Sequence, residues 1–252
     1  MPTFSPAGDF FLILAAVSVV AVLLHLAFYL PRLRGEDGKS KPSENLQGVF
    51  GGMFALSMAF LANATWATDD RAREAVNAEA RSIRLMEIYS APLGQALNQD
   101  LDRLLAEYAE AAAREWKDMV DGRASEAAER ELKEVYDFVL GGLPADGFTP
   151  LVQQRLLVTL DSLSAARQLR LSIAQESVRG WQWFLVVGLA LILMVAVATV
   201  HAAVPAARRR ALAITVAAIT TMFFVVLAYQ HPFSGFASLT PAPILEAAKA
   251  LR

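Results

Sequence analysis

The sequence predicts an all-α polytopic membrane protein with four transmembrane helices and a helical extramembrane domain between the second and third of them. Three observations predict this fold: four uncharged segments have the length of a bilayer span, they come in two pairs, and the polar stretch between the pairs has helical spacing without strand alternation. A spanning helix needs about 20 mainly apolar residues because the hydrocarbon core is about 30 Å thick. The four segments are Phe10–Leu30, Leu46–Thr68, Gly180–Ala207 and Ala211–Gln230.

Composition supports a membrane protein and excludes several kinds of site. Hydrophobic residues make up 55% of the 252 residues, above the roughly 45–50% of soluble domains. The first apolar segment has no basic residue before it and no small-residue cleavage site after it, so we expect a retained span rather than a cleaved signal peptide. The chain has no cysteine, which excludes disulfides, iron–sulfur clusters and thiolate zinc sites.

Charge is divided between the polar middle and the rest of the chain. Between Thr68 and Gln182 there are 20 acidic against 14 basic residues, a net of −6, whereas the remaining 5 acidic and 9 basic residues give +4. The extramembrane domain is therefore acidic and the short loops between paired spans are basic. An acidic domain argues against nucleic acid as a partner, because phosphate binding requires positive charge.

The short loops also predict the orientation of the spans. Residues 31–45 and 205–210 lie on the same side of the membrane, because an even number of crossings separates them. Together they carry seven Lys and Arg, whereas the segment before Phe10 carries none. The positive-inside rule therefore predicts these loops in the cytoplasm, and the helical domain with both termini on the outer face.

Helix breakers set the boundaries of the segments. No breaker follows Thr68 until Pro92, and none follows Pro150 until Gly180, so the second and third spans are predicted to continue into the domain as long helices. The predicted organisation is a first transmembrane pair at 1–68 (spans at about 10–30 and 46–68), an acidic helical domain at 69–180, a second transmembrane pair at 181–230 (spans at about 181–204 and 211–230) and a short tail at 231–252.

Two further helices and the tail complete the predicted elements. Residues 97–120 and 125–140 are rich in helix formers, and the first ends at Asp121-Gly122 while the second begins at Ser125, a suitable N-cap. A Gly- and Pro-containing loop at 141–148 follows, and the next helix has Thr149 as its cap. In the tail, one apolar face predicts an interfacial helix on the membrane surface, formed by Ile244, Leu245, Ala248 and Leu251.

Small residues recur every four positions along the second span. Gly51, Ala55, Ala59 and Asn63 form one narrow face of this helix. Two interpretations are open: close packing against other helices, which small residues permit, or a water-facing path with the Asn63 amide at its mouth. A face rotated from this one offers candidates for a hydrophobic constriction, namely Phe50, Phe54, Ser57 and Leu61.

The chain has no recognisable catalytic or metal-binding pattern. It lacks a nucleophile elbow, an HExxH helix and a phosphate-binding loop, so we expect neither an enzyme nor a bound metal. His25 and His201 lie late in the first and third spans, at similar depth. They fit either axial haem ligation or hydrogen bonding at helix ends, and the second interpretation is favoured, so no cofactor is expected.

Four charged residues lie where the domain meets the membrane, namely Asp69, Asp70, Arg167 and Arg170. The arginines either extend towards lipid head groups or pair with an aspartate of the neighbouring helix. We favour pairing with Asp69 or Asp70.

The overall pattern of residues 46–245 resembles the bacterial bestrophin-like family of uncharacterised membrane proteins. The residues that carry the resemblance are Gly48-Val49-Phe50-Gly51-Gly52 with Asn63, the helix Asp70–Arg84, the segment Arg167-Gln168-Leu169-Arg170-Leu171, and His231-Pro232-Phe233-Ser234-Gly235 followed by Pro241-Ala242-Pro243. The resemblance implies a protein of the bacterial inner membrane related to bestrophins, which are oligomeric, usually pentameric, anion channels whose second span lines the pore. Bestrophins keep their large domain in the cytosol, so the resemblance and the loop charges predict opposite orientations.

The sequence therefore predicts a bestrophin-like homo-oligomeric ion channel in contact with lipid and ions. The second span lines the path, and selectivity is undetermined: the resemblance implies anions, whereas an acidic domain at the mouth favours cations. The alternative is a non-conducting membrane sensor or scaffold whose helical domain binds a ligand or partner. Its candidate pocket residues are Tyr108, Trp116 and Tyr136.

Overall fold

The computed structural model describes residues 6–27, 44–119, 123–141, 149–175, 180–234 and 238–251. Within those ranges the chain forms eight α-helices, one 3₁₀ turn at Ala91–Leu93, and no strand. The helices are α1 (Pro6–Ala27), α2 (Glu44–Ser90), α3 (Gln95–Met119), α4 (Glu126–Gly141), α5 (Thr149–Gln175), α6 (Gly180–Val200), α7 (Pro205–Tyr229) and α8 (Ala242–Ala250). The predicted all-α fold class is confirmed.

Four helices are long and apolar enough to cross a membrane, as predicted: α1, α2, α6 and α7. The chain divides into two compact units, and the first contains α1, α2 as far as Ala67, α6 and α7. We call it the membrane unit. Its core is built from aliphatic and aromatic side chains at helical spacing, including Phe54, Met58 and Leu61 of α2, Met194 and Val197 of α6, and Ile219 and Phe223 of α7.

The second unit contains α2 from Thr68 onward, α3, α4, α5 and α8, and we call it the helical domain. Helices α2 and α3 contribute apolar faces with three- and four-residue spacing. These include Val76, Ala80 and Ile83 of α2 and Leu101, Leu105 and Tyr108 of α3. Val135 and Val139 of α4 and Leu156, Leu160 and Leu163 of α5 complete the core.

Helix α2 runs without interruption for 47 residues. It ends at Ser90, two residues before Pro92, whose ring prevents continuation of a regular helix. The other predicted long helix would join α5 to α6 through residues 176–179, which lie outside the described residues. The loop expected at 141–148 also falls mostly outside them.

The tail helix α8 lies in the helical domain rather than on the membrane surface, which corrects the prediction. Ile244, Ala247 and Ala248 are buried in the domain core, where α8 packs against α3. The chain leading to α8 is also held there, because the indole Nε1 of Trp116 donates a hydrogen bond to the Leu239 carbonyl at 3.0 Å. An apolar helix face has the same spacing whether it covers lipid or protein, so the sequence pattern did not distinguish the two.

Candidate functional site

Between Gly48 and Asn63, the exposed side of α2 has a small and polar half, which we call the open face. Trp66, which is 49% exposed, follows on the same side. Helical periodicity places the members of the open face on one side of the helix, and all are exposed: Gly48, Gly52, Ala55, Ala59 and Asn63. A methyl group added at Gly48 or at Gly52 would meet no atom within 4 Å. Packing inside the chain therefore does not account for these glycines.

Gly51 belongs to a different environment from the rest of the predicted stripe. It is half-buried, and a Cβ added there would lie 3.8 Å from Leu193 of α6. Packing within the chain thus involves Gly51, while Ala55, Ala59 and Asn63 remain exposed.

Phe54 and Leu61, candidates for a constriction, lie in the core of the membrane unit. Phe54 is 6% exposed, and its ring centroid is 6.3 Å from that of Phe223. Leu61 is also buried, whereas Phe50 and Ser57 are half-buried. This burial argues against Phe54 and Leu61 as lining residues. Helical periodicity places Phe50 and Ser57 on the side of α2 opposite the open face.

The remaining exposed side of α2 carries large apolar side chains. Met53, Leu56 and Phe60 are 49%, 59% and 67% exposed. The same helix therefore presents one small, partly polar half and one large, apolar half on its exposed side. Such a division is typical of a spanning helix with two different neighbours.

A cluster of four charged side chains is buried in the helical domain, and we call it the buried charge cluster. Arg170 Nε donates to Glu79 Oε2 at 2.7 Å, and its terminal nitrogen Nη2 reaches Glu115 Oε2 at 3.0 Å. Arg167 Nη2 donates to Glu115 Oε1 at 2.7 Å. Each of the four residues is at most 6% exposed, and the two positive and two negative charges balance. The cluster joins α2, α3 and α5.

Neighbouring groups complete the hydrogen bonding of the cluster. The Tyr108 hydroxyl donates to Glu79 Oε1 at 2.6 Å, and the backbone N–H of Ser125 donates to Glu115 Oε1 at 2.8 Å. Burial, together with the Glu79 carboxylate, raises the pKa of Tyr108 well above its usual range, so the hydroxyl stays a donor. The Arg170 guanidinium also lies over the Trp116 ring, 4.6 Å from its centroid.

These contacts show that the partners predicted for Arg167 and Arg170 from the sequence are wrong. Arg167 and Arg170 pair with Glu115 and Glu79, and Asp69 instead accepts a hydrogen bond from Arg73 at 2.8 Å. Asp70 is exposed. The sequence did contain a sign that Glu79 and Glu115 are buried, because each lies on the apolar face of its helix. Glu79, for example, lies between Val76 and Ile83.

Both membrane-unit histidines are hydrogen-bonded near helix ends. Arg208, only 1% exposed, donates from Nε to His25 Nδ1 at 3.2 Å and from Nη2 to the His25 carbonyl at 3.3 Å. Its Nη1 donates to the Ala202 carbonyl at 3.1 Å. His201 Nδ1 lies 2.9 Å from the Val197 carbonyl of its own helix.

The C-terminal motif lies partly in the helical-domain core. Pro232 and Phe233 are buried, His231 is exposed, and Gly235 lies outside the described residues. The Phe233 ring packs edge-on against Trp116, with centroids 5.8 Å apart. The motif therefore anchors the tail to α3.

The aromatic residues proposed for an alternative ligand pocket do not share one. Tyr108 and Trp116 belong to the domain core, while the half-buried Tyr136 donates a hydrogen bond to Asp161. Elsewhere in the described part of the domain, carboxylate oxygens of Glu107, Glu131 and Glu134 lie within 4.8 Å of one another on the acidic surface. Exposed acidic groups of this kind are common and carry no assignment here.

Comparison with known proteins yields a family and a fold. The bestrophin-like domain family matches residues 12–244. Crystal structures of two point variants of a bacterial bestrophin homolog from Klebsiella pneumoniae are similar to this chain, with TM-scores of 0.73 and 0.74 at 10% and 11% sequence identity. The similarity covers 96% of this chain in both cases and 97% and 99% of those chains. Among curated proteins, none matches significantly.

Proposed function

This chain belongs to the bestrophin-like family, and on that premise we propose that it is a homo-oligomeric ion channel whose path is lined by the open face of α2. It is a multi-pass membrane protein with the fold of bacterial bestrophin homologs. The observation that carries the proposal is the open face itself. Small side chains leave room beside an axis, and the Asn63 amide needs polar partners that a water-filled path supplies.

Exposed apolar residues of the helical domain support assembly with further copies of the chain. On α5, Leu151, Val158 and Leu169 are 61%, 59% and 41% exposed. Their spacing places them on one side of the helix, together with the exposed Ala165. Large apolar side chains exposed on one side of a domain outside the membrane are typical of a protein interface. By family resemblance, the oligomer is a pentamer in a bacterial inner membrane.

Ion flux through purified protein in liposomes tests the proposal. We expect protein-dependent flux that Asn63→Leu lowers severalfold, because the substitution removes the polar group from the open face. Opposed chloride and potassium gradients identify the conducted ion: the family favours an anion, and the acidic domain favours a cation. The proposal fails if wild-type liposomes show no more flux than the Asn63→Leu variant, or if electron microscopy shows protein without an axial path.

Labelling of single introduced cysteines tests on which side of the membrane the helical domain lies. The chain has no cysteine of its own, so each introduced thiol is the only one that reacts. From the basic loops we expect an impermeant maleimide to label Gln99→Cys in intact spheroplasts and to label Ala206→Cys only after lysis. Both positions are exposed. The reverse pattern would contradict the loop-charge rule here and place the domain in the cytosol.

A further inference from the structure

A groove lies between α1 and α7 at the end of the membrane unit that carries the short loops. Its volume is about 320 Å³, and its lining includes Ala21, Val22 and His25 from α1 and Arg209, Ala213 and Val216 from α7. His25 and Arg209 are at the same end, because α1 runs towards the loop side and α7 begins there. The groove extends from this polar rim for seven residues of α7, roughly 10 Å.

The groove is polar at its rim and mainly apolar along its length, where Ser18 is the polar residue among the side chains that line it. Arg209 is exposed near the start of α7, whereas the deeper residues Ala21 and Val216 are apolar and buried. No acidic side chain lines the groove in the part of the chain that the structure describes. The rim therefore suits an anion, and the interior suits a hydrocarbon chain.

Arg208 holds the rim in place. Its guanidinium bonds to the ring and the carbonyl of His25 and to the carbonyl of Ala202, so it ties the end of α1 to the start of α7. Because these helix ends are already held together, binding a ligand costs less conformational entropy at the rim, and this favours affinity.

The exposure of α1 indicates which molecule occupies the groove. The spanning segment of α1 is the least buried of the four, and its large apolar residues Leu12, Val19 and Leu23 are 57–70% exposed. A helix so exposed along its span faces lipid tails. We propose that the groove binds an anionic phospholipid, with its phosphate against the Arg209 guanidinium and an acyl chain along Ala21, Ala213 and Val216. This site is independent of whether the protein conducts ions.

Lipid titration of the detergent-solubilised full-length protein, followed by native mass spectrometry, tests the proposal. The probes are phosphatidylglycerol and phosphatidylcholine with matched chains. We expect wild type to bind phosphatidylglycerol more tightly, and Arg209→Gln to weaken that binding about fivefold, the contribution of one arginine near anionic lipid. Arg210→Gln is the matched control, since Arg210 is exposed but does not line the groove, and it should bind like wild type.

A second variant tests the groove separately from its charge. Ala213→Phe fills the apolar part without removing an arginine, and it should reduce binding of both lipids. Size-exclusion chromatography and circular dichroism confirm that each variant is folded. Equal losses in Arg209→Gln and Arg210→Gln would show diffuse surface attraction and overturn the site, as would unchanged lipid binding in Ala213→Phe. A change in subunit number with unchanged lipid binding would assign the groove to another copy of the chain.

Discussion

Replacing Arg170 with methionine is expected to destabilise the helical domain by about 3–5 kcal/mol, the effect of removing one partner from a buried ion pair. Arg170 and Glu79 are both fully buried, and Arg170 also contacts Glu115. The variant retains the side-chain volume but leaves the Glu79 carboxylate without its cation in a low-dielectric interior. We expect a fall in Tm of about 10 °C for a chain of this length, measured by thermal unfolding in detergent.

An exposed arginine provides the control for this substitution. Arg103 is 58% exposed and pairs with Asp100 and Glu107 on the surface of α3, so Arg103→Met should change stability by less than about 1 kcal/mol. The double variant Glu79→Met with Arg170→Met should recover part of the loss, because it leaves no unpaired charge of that pair. Equal Tm values for Arg170→Met and Arg103→Met would contradict the predicted importance of the buried charge cluster.

Covalent modification of the open face is expected to block ion flux. Ala59→Cys places a thiol on the open face, at a position that is exposed in the single chain. A charged methanethiosulfonate reagent reaches this thiol only through water, and the added group then narrows the path. We expect flux to fall by about tenfold after modification, since conduction through a narrow constriction depends steeply on its free width. Liposome flux before and after treatment provides the measurement.

Ala64→Cys is the matched control for the same reaction. Ala64 is also exposed, but it lies five positions further along α2, about 140° around the helix. That angle places it on the side of Met53 and Phe60, the large apolar half. The reagent should leave the ion flux of the Ala64→Cys variant unchanged. If both variants respond alike, or if Ala59→Cys does not react at all, the open face is not the lining of the path.

Sequence patterns predicted the elements of this fold because local chemistry specifies them. Uncharged segments long enough to span a bilayer identified α1, α2, α6 and α7, and Pro92 marked the end of the longest helix. The C-terminal α8 was recognised as an apolar helix but placed on the wrong surface. Its spacing is shared by helices that cover lipid and helices that cover protein, so only its contact with α3 decided between them.

The buried charge cluster illustrates what local patterns cannot predict. A shared position where the domain meets the membrane suggested Asp69 or Asp70 as partners of the arginines, whereas their common partner Glu115 lies on α3, 52 and 55 residues away from Arg167 and Arg170. Long-range pairing depends on how helices rotate against one another, and the small energy differences that select a rotation come from many contacts at once. A glutamate on an apolar helix face signals a buried partner without identifying it.

By itself, the sequence determined that this protein has four membrane spans, an acidic helical domain and no cysteine chemistry, because span length, charge and residue type act locally. Only the tertiary structure decided which residues of α2 remain exposed, which glutamates form ion pairs with Arg167 and Arg170, and where α8 packs. Each of these outcomes depends on the relative rotation of helices that are distant in the chain. The open face and the lipid groove therefore became visible only after the helices were packed.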